Sequence, residues 1–274
     1  MDIASIIASH GDVDVTLDSV SALQHTLTHD ITVVVDGLNA SAFQKPSIQE
    51  LLRAYASLEL VTGFRHGLPK SPYRNVALSL KRSFERFPNH DWHVYSEYDV
   101  LFRTDQIVRS LETAARMDVS LLGFCGIAES ADLSFAEAVS GVNITKPYYM
   151  LGCCMFFSRK FMEQLVSRNF FERFLFSTAS FTDGSIPRYD GFDFSEHLYP
   201  SLARSLGGDV GVLSTWDGRR WHGSGKRYPV RWKPELTEVD DEASIVHPVK
   251  SYDNKIRKDA RLGRNKRADD LCNT

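Results

Sequence analysis

The chain has 274 residues, of which 43% are hydrophobic, 24% charged and 11% aromatic, with a formal net charge of −3. These totals exclude a wholly disordered chain and allow one large α/β domain, or two small ones, with a sizeable core. The near-neutral charge supplies no overall basic field to recruit nucleic acid, and no apolar run reaches the roughly 18 residues of a membrane span.

The first elements alternate. IASIIAS (Ile3–Ser9), stopped by His10-Gly11, reads as a buried strand with a loop at its C-terminal end. Val15, Leu17, Val20, Leu23 and Leu27 recur at helical spacing, and ITVVVDG (Ile31–Gly37) follows as a β-branched run, which makes a βαβ unit. A helix is expected over Ser47–Ser57, a short strand over Leu60–Phe64, and a helix over Pro72–Phe87 that Pro88-Asn89 breaks. WHVYSEYDVL (Trp92–Leu101) then opens as a strand and ends in Glu97 and Asp99. A helix from Thr104-Asp105 to about Met117 and a strand over Val119–Phe124 complete the pattern of a parallel sheet covered on both faces.

After Gly126 the rhythm loosens. Ala128 to Lys146 is small and polar, LGCCMFFS (Leu151–Ser158) reads as a buried strand, and RKFMEQLVSR reads as a helix. A loop over Phe181–Gly191, a helix over Asp193–Gly207 and a strand over Val210–Ser214 follow. The expected organisation is a single domain over residues 1–252, with a regular half (1–125) and a less regular half (126–252). Residues 253–274, with seven Lys or Arg against four Asp, form a basic tail, either a solvated segment or an arm that a ligand orders.

Cys125, Cys153, Cys154 and Cys272 lack the spacings of a zinc site or a CxxC motif, so they read as free thiols in a reducing compartment. No basic n-region leads into a long apolar core, so a signal peptide is not expected and the cytoplasm is the expected location.

Spacing alone says little about the acids. By chance, 35 acids in 274 residues supply about four acid-x-acid pairs, and four occur: Asp12/Asp14, Glu97/Asp99, Glu238/Asp240 and Asp240/Glu242. Only Glu97/Asp99 directly follows a buried-type strand, where residues i and i+2 point to one side and where open parallel sheets bind ligands. Two carboxylates there suit a hard cation, Mg²⁺ or Mn²⁺, with a diphosphate as remaining ligand. Helix capping is the alternative, but Thr104-Asp105 already supplies a cap. Asp36 ends the second strand at the same edge, either as a turn-forming Asp-Gly or as an acceptor for a base or ribose. No GxGxxG follows the first strand, GSGK (Gly223–Lys226) is not a P-loop, and no GxSxG, HExxH or kinase HRD set occurs.

The order of a strand ending at Ser9-His10-Gly11, a strand ending in Asp36, a helix bearing Tyr73-Arg74-Asn75 and a strand ending in Glu97-Tyr98-Asp99 resembles the GT-A glycosyltransferases, especially family 2, over Ile3 to Ser214. Glu-x-Asp stands where that family has DxD. The resemblance implies a Rossmann-like, mostly parallel α/β sheet, with residues 1–125 as a nucleotide-binding half and 126–252 as an acceptor-binding half. It also implies a metal-dependent transfer of sugar from a nucleotide-diphosphate donor, UDP-sugar favoured, to a saccharide or glycan hydroxyl. It places Ser9 and His10 beside the nucleotide, Asp36 on the base and Arg74 near base and phosphates. Asp99 becomes the main metal ligand, and Glu97 binds ribose or metal. Asp193 best matches the position of the catalytic base, with Glu196 in reserve; capping of the following helix is the other role for Asp193. His247, in IVHPVK, matches the C-terminal metal-ligating His of many GT-A enzymes, with Lys250 and Arg257 neutralising the diphosphate. Trp216, Trp221 and Trp232 either stack on sugar or pin the tail. A sugar nucleotidyltransferase and a catalytically silent saccharide-binding protein are the competing readings.

Overall fold

A computed structural model describes residues 1–37, 40–53, 59–62, 71–128, 133–179, 194–216, 221–223, 226–231 and 234–272. In chain order the first half comprises β1 (Ile3–Ser9), α1 (Val13–Thr26), β2 (Ile31–Val35), α2 (Ala40–Phe43), α3 (Pro46–Arg53), β3 (Glu59–Thr62), α4 (Ser71–Arg86), β4 (Trp92–Glu97), β5 (Leu101–Phe102), α5 (Gln106–Arg116) and β6 (Val119–Gly123). The second comprises β7 (Ile127–Ala128), α6 (Ser134–Ser140), β8 (Tyr148–Tyr149), β9 (Cys154–Ser158), α7 (Arg159–Ser167), α8 (Phe170–Ala179), α9 (Phe194–Ser205), β10 (Asp209–Val212), β11 (Ser214–Trp216), β12 (Trp221–Gly223), β13 (Ile245–Val246) and α10 (Lys255–Cys272).

Seven strands form one sheet in the order β10-β6-β9-β4-β1-β2-β3. Six are parallel, and β9 runs antiparallel between β4 and β6. This is the expected α/β architecture, a mostly parallel central sheet with helices on both faces. The one antiparallel strand, β9, has a direction that periodicity does not report, because the pattern of apolar residues records burial and not strand direction.

The apolar strands are near-continuous because both faces are covered, and successive side chains divide between two cores. Ile6, Ala8, Val34, Tyr95, Met155 and Phe157 join Val76, Ala77 and Leu80 of α4 and aromatic residues of α7 to α9. Ile7, Val33, Val35, Val94, Cys154 and Phe156 face the other way, into a cluster with α1 and α5 that also takes in Tyr228, Val230 and Ile245. Both halves of the chain therefore share this second core. Cys153 and Cys154 are buried free thiols, and burial pushes both well above the ordinary thiol range.

Local chemistry sets several boundaries. Helix α1 begins two residues before the expected Val15 because Asp12 caps it, accepting from Asp14 N at 2.7 Å and Val15 N at 3.2 Å. Gly207, at φ +82°, ends α9 in the left-handed region that glycine adopts without a Cβ penalty.

The basic tail packs on the domain. From Lys255 it is a helix, α10, and its Ile256 enters a third apolar cluster with Ala22, Leu101, Val246 and Val249. Among the described residues no helix is long and apolar enough to cross a membrane.

Candidate metal centre

The parallel strands β1, β2 and β4 end at one edge of the sheet, with Ser9 in register with Val35 and Ala8 with Glu97. The pairing continues past the strand ends: Asp36 N donates to Ser9 O at 2.7 Å, and Tyr98 N to Ala8 O at 3.0 Å. Ser9, Asp36 and Glu97 are therefore neighbours at the carboxyl edge, which is where an open α/β sheet leaves a crevice.

Beyond Glu97 the chain turns, with Val100 N donating to Glu97 O at 3.1 Å, and continues as β5. Antiparallel pairing of β5 with β13 sets Leu101 against Val246, so His247 comes beside Asp99. Val249 N donates to Asp99 O at 3.0 Å and ties the two segments further.

Glu97, Asp99 and His247 form a cluster whose candidate ligand atoms all lie within 4.8 Å of one another. His247 Nε2 stands 3.4 Å from Asp99 Oδ1 and 4.0 Å from Glu97 Oε2. Its Nδ1 is 2.6 Å from the Arg231 carbonyl, to which it donates, and that bond leaves Nε2 as the atom facing the carboxylates. Lys250 Nζ is 4.0 Å from Asp99 Oδ2. Asp99 and His247 are buried, and Glu97 is half-buried.

Burial alone would raise the Asp99 pKa, but the pull of His247, followed by the charges of Lys250 and His10, outweighs it and holds the carboxyl below its ordinary value. Burial likewise disfavours a charged His247, yet Asp99, then Glu97 and the Arg231 carbonyl, raise its pKa. Asp99 Oδ1 is buried, lies in ion-pair contact with His247, and has no hydrogen-bond partner among the described residues. A buried carboxylate oxygen so placed, with a second carboxylate and an imidazole nitrogen alongside, fits a divalent cation.

The other expected site residues fall into three groups. Near the cluster are Ser9, whose hydroxyl shares a 2.7 Å hydrogen bond with Thr16; His10, edge-on to Tyr98 with ring centroids 4.8 Å apart; and Asp36, buried at 1% exposure. Arg74 sits in the first turn of α4, and a helix linking two parallel strands begins at their carboxyl edge. Glu196, in the first turn of α9, accepts from Gly152 N at 2.8 Å, and the next carbonyl, Cys153 O, accepts from Glu97 N at 2.8 Å.

Arg257 lies behind the cluster, its Nη2 donating to Tyr98 O at 3.1 Å. It is fully buried and pairs with Asp18 at 2.8 Å, so its guanidinium faces the protein interior. Asp193 and Trp232 lie outside the described residues. Trp216 and Trp221 pair across the β11–β12 ribbon.

Tyr98 escaped sequence reasoning. Burial, then Asp99 and Glu97, push its hydroxyl up to about 12. Its ring lies so close over Gly11 that a Cβ there would meet it at 2.2 Å. The signal was present in SHGD and EYD, because a glycine opposite an aromatic marks close approach.

No family model matches the chain, and no curated protein matches it. Among solved structures the chain is similar to a glycosyltransferase involved in the glycosylation of the major capsid of PBCV-1, with a TM-score of 0.42 and 9% identity over 78% of this chain and 82% of that one.

Proposed function

We propose that the chain is a metal-dependent glycosyltransferase that moves a sugar from a nucleoside-diphosphate donor, UDP-sugar by preference, to a saccharide hydroxyl with inversion. The observation that carries this reading is the Glu97, Asp99 and His247 cluster at the carboxyl edge of the sheet, beside Ser9 and Asp36. A divalent ion held there, Mn²⁺ ahead of Mg²⁺ because an imidazole joins two carboxylates, supplies Lewis-acid neutralisation of the departing diphosphate.

The chain's own residues have distinct tasks. Asp36 accepts from the base or ribose, with Ser9 and His10 beside the nucleotide. Arg74, at the start of α4, and Lys250, at 4.0 Å from Asp99 Oδ2, place positive charge where the leaving group gathers negative charge. Glu196, steadied by Gly152 N, takes the acceptor proton, with Asp193 the other candidate base. A single base opposite the leaving group corresponds to direct displacement and hence to inversion.

A thermal-shift panel of uridine, guanosine and cytidine sugars, with and without Mn²⁺, tests the reading, since a ligand of the native state raises apparent stability. Stabilisation by one donor that needs Mn²⁺, followed by release of a nucleoside diphosphate on adding acceptor, is expected. No response to any donor sinks the proposal, and release of pyrophosphate replaces it with a nucleotidyltransferase.

A further inference from the structure

We propose that Arg257 is a positioning residue that joins the two arms of the metal centre, which makes helix α10 a working part of that centre. The proposal rests on the metal reading of Glu97, Asp99 and His247. The Arg257 side chain is fully buried and makes four hydrogen bonds: Nη1 to Asp18 Oδ2 at 2.8 Å and to Ser19 Oγ at 3.1 Å, Nη2 to Tyr98 O at 3.1 Å, and Nε to Val249 O at 2.9 Å. Tyr98 lies between the two acids, and Val249 lies two residues after His247. One guanidinium therefore holds the backbone of both ligand-bearing segments.

Asp18 makes this arrangement affordable, because a buried guanidinium needs a paired carboxylate. Arg264 also bonds Asp18, and Arg261 stands 3.6 Å from it, so three residues of α10 converge on one acid of α1. Ser19 adds a second donor to Tyr98 O at 2.7 Å. A lysine offers a single nitrogen in place of the planar fork and cannot span α1, Tyr98 O and Val249 O at once. With the fork removed, the Glu97–Asp99 turn and the His247–Val249 segment keep only their direct contacts, chiefly Val249 N to Asp99 O at 3.0 Å.

The test uses the full chain as wild type, Arg257→Lys, Arg257→Met and Asp99→Asn, with circular dichroism to establish folding. Binding of Mn²⁺ alone is measured by calorimetry and by the spin-resonance signal of the bound ion, and hydrogen exchange at the Val249 amide is followed in metal-free protein. Loss of a residue that orients metal ligands weakens affinity by about 10–100-fold. Arg257→Met is therefore expected to bind Mn²⁺ at least about tenfold more weakly with an altered signal, Arg257→Lys to fall between it and wild type, and Val249 exchange to quicken while β1 amides stay protected. If the Met variant does not fold, the Lys variant decides.

A folded variant with wild-type Mn²⁺ affinity, or with unchanged Val249 exchange, overturns the proposal. Failure of the metal reading looks different: wild type binds no Mn²⁺, or Asp99→Asn binds it equally well. The claim on affinity falls with it, while Val249 exchange still decides whether Arg257 holds the segments together.

Discussion

Asp99 carries more of the site than any other side chain. Its carboxyl is buried, His247 and Lys250 face its two oxygens, and its carbonyl receives Val249 N. Asp99→Asn keeps the shape and removes the charge, so Mn²⁺ affinity should drop by about 100-fold or more, beyond the usual cost of losing an orienting partner; calorimetry with Mn²⁺ checks this. Gly152 is a second sensitive position, since a Cβ there would stand 2.8 Å from Glu196 Cγ. Gly152→Ala should cost about 1–3 kcal/mol through overpacking and displace the proposed base. Urea unfolding measures the first effect, and an unchanged midpoint would show that the contact is slack.

At the scale of elements, β4 combines an end that carries a candidate metal ligand, Glu97, with a buried titratable group. His93 lies within β4, fully buried, its Nδ1 2.8 Å from Ser83 Oγ of α4. Burial, then the nearby His90, pushes its pKa down to about 3 from the ordinary 6.5. Between those values the unfolded chain takes up a proton that the native state refuses, so stability is lost as pH falls below about 6.5, by up to about 1.4 kcal/mol per pH unit. The stability difference between wild type and His93→Gln should narrow at that rate from pH 6 to pH 4; urea titrations across the range would refute the assignment if it stays constant. The same strand explains why Glu97 and Asp99 were legible in the sequence: a buried run ending in acids announces both the strand and the edge. The ribbon of β5 and β13 was not legible, because two-residue strands have no periodicity to read.

For the molecule as a whole, the sheet is the wall shared by two cores, so damage to one core should unfold both together. Phe157, buried in β9, packs against Phe161 and meets Tyr199 edge-on at 5.2 Å. Phe157→Ala should lower stability by about 3–5 kcal/mol in one transition, seen alike by near- and far-ultraviolet dichroism. Two separate transitions would mean that the two cores unfold apart. Helix α10 belongs to the same body, although its charged sequence reads as a solvated segment or a ligand-ordered arm, because its anchoring partner Asp18 lies 239 positions from Arg257.

The sequence by itself determined the alternation of strands and helices, the buried character of the sheet and the address of Glu97 and Asp99 at a strand end. These follow from local composition and from periods of 2 and 3.6 residues, which any short window displays. Only the tertiary structure decided that β9 runs antiparallel, that His247 stands 3.4 Å from Asp99, and that Arg257 turns inward to Asp18. Each depends on which distant segments pack together, and burial and charge pairing across the whole chain settle that.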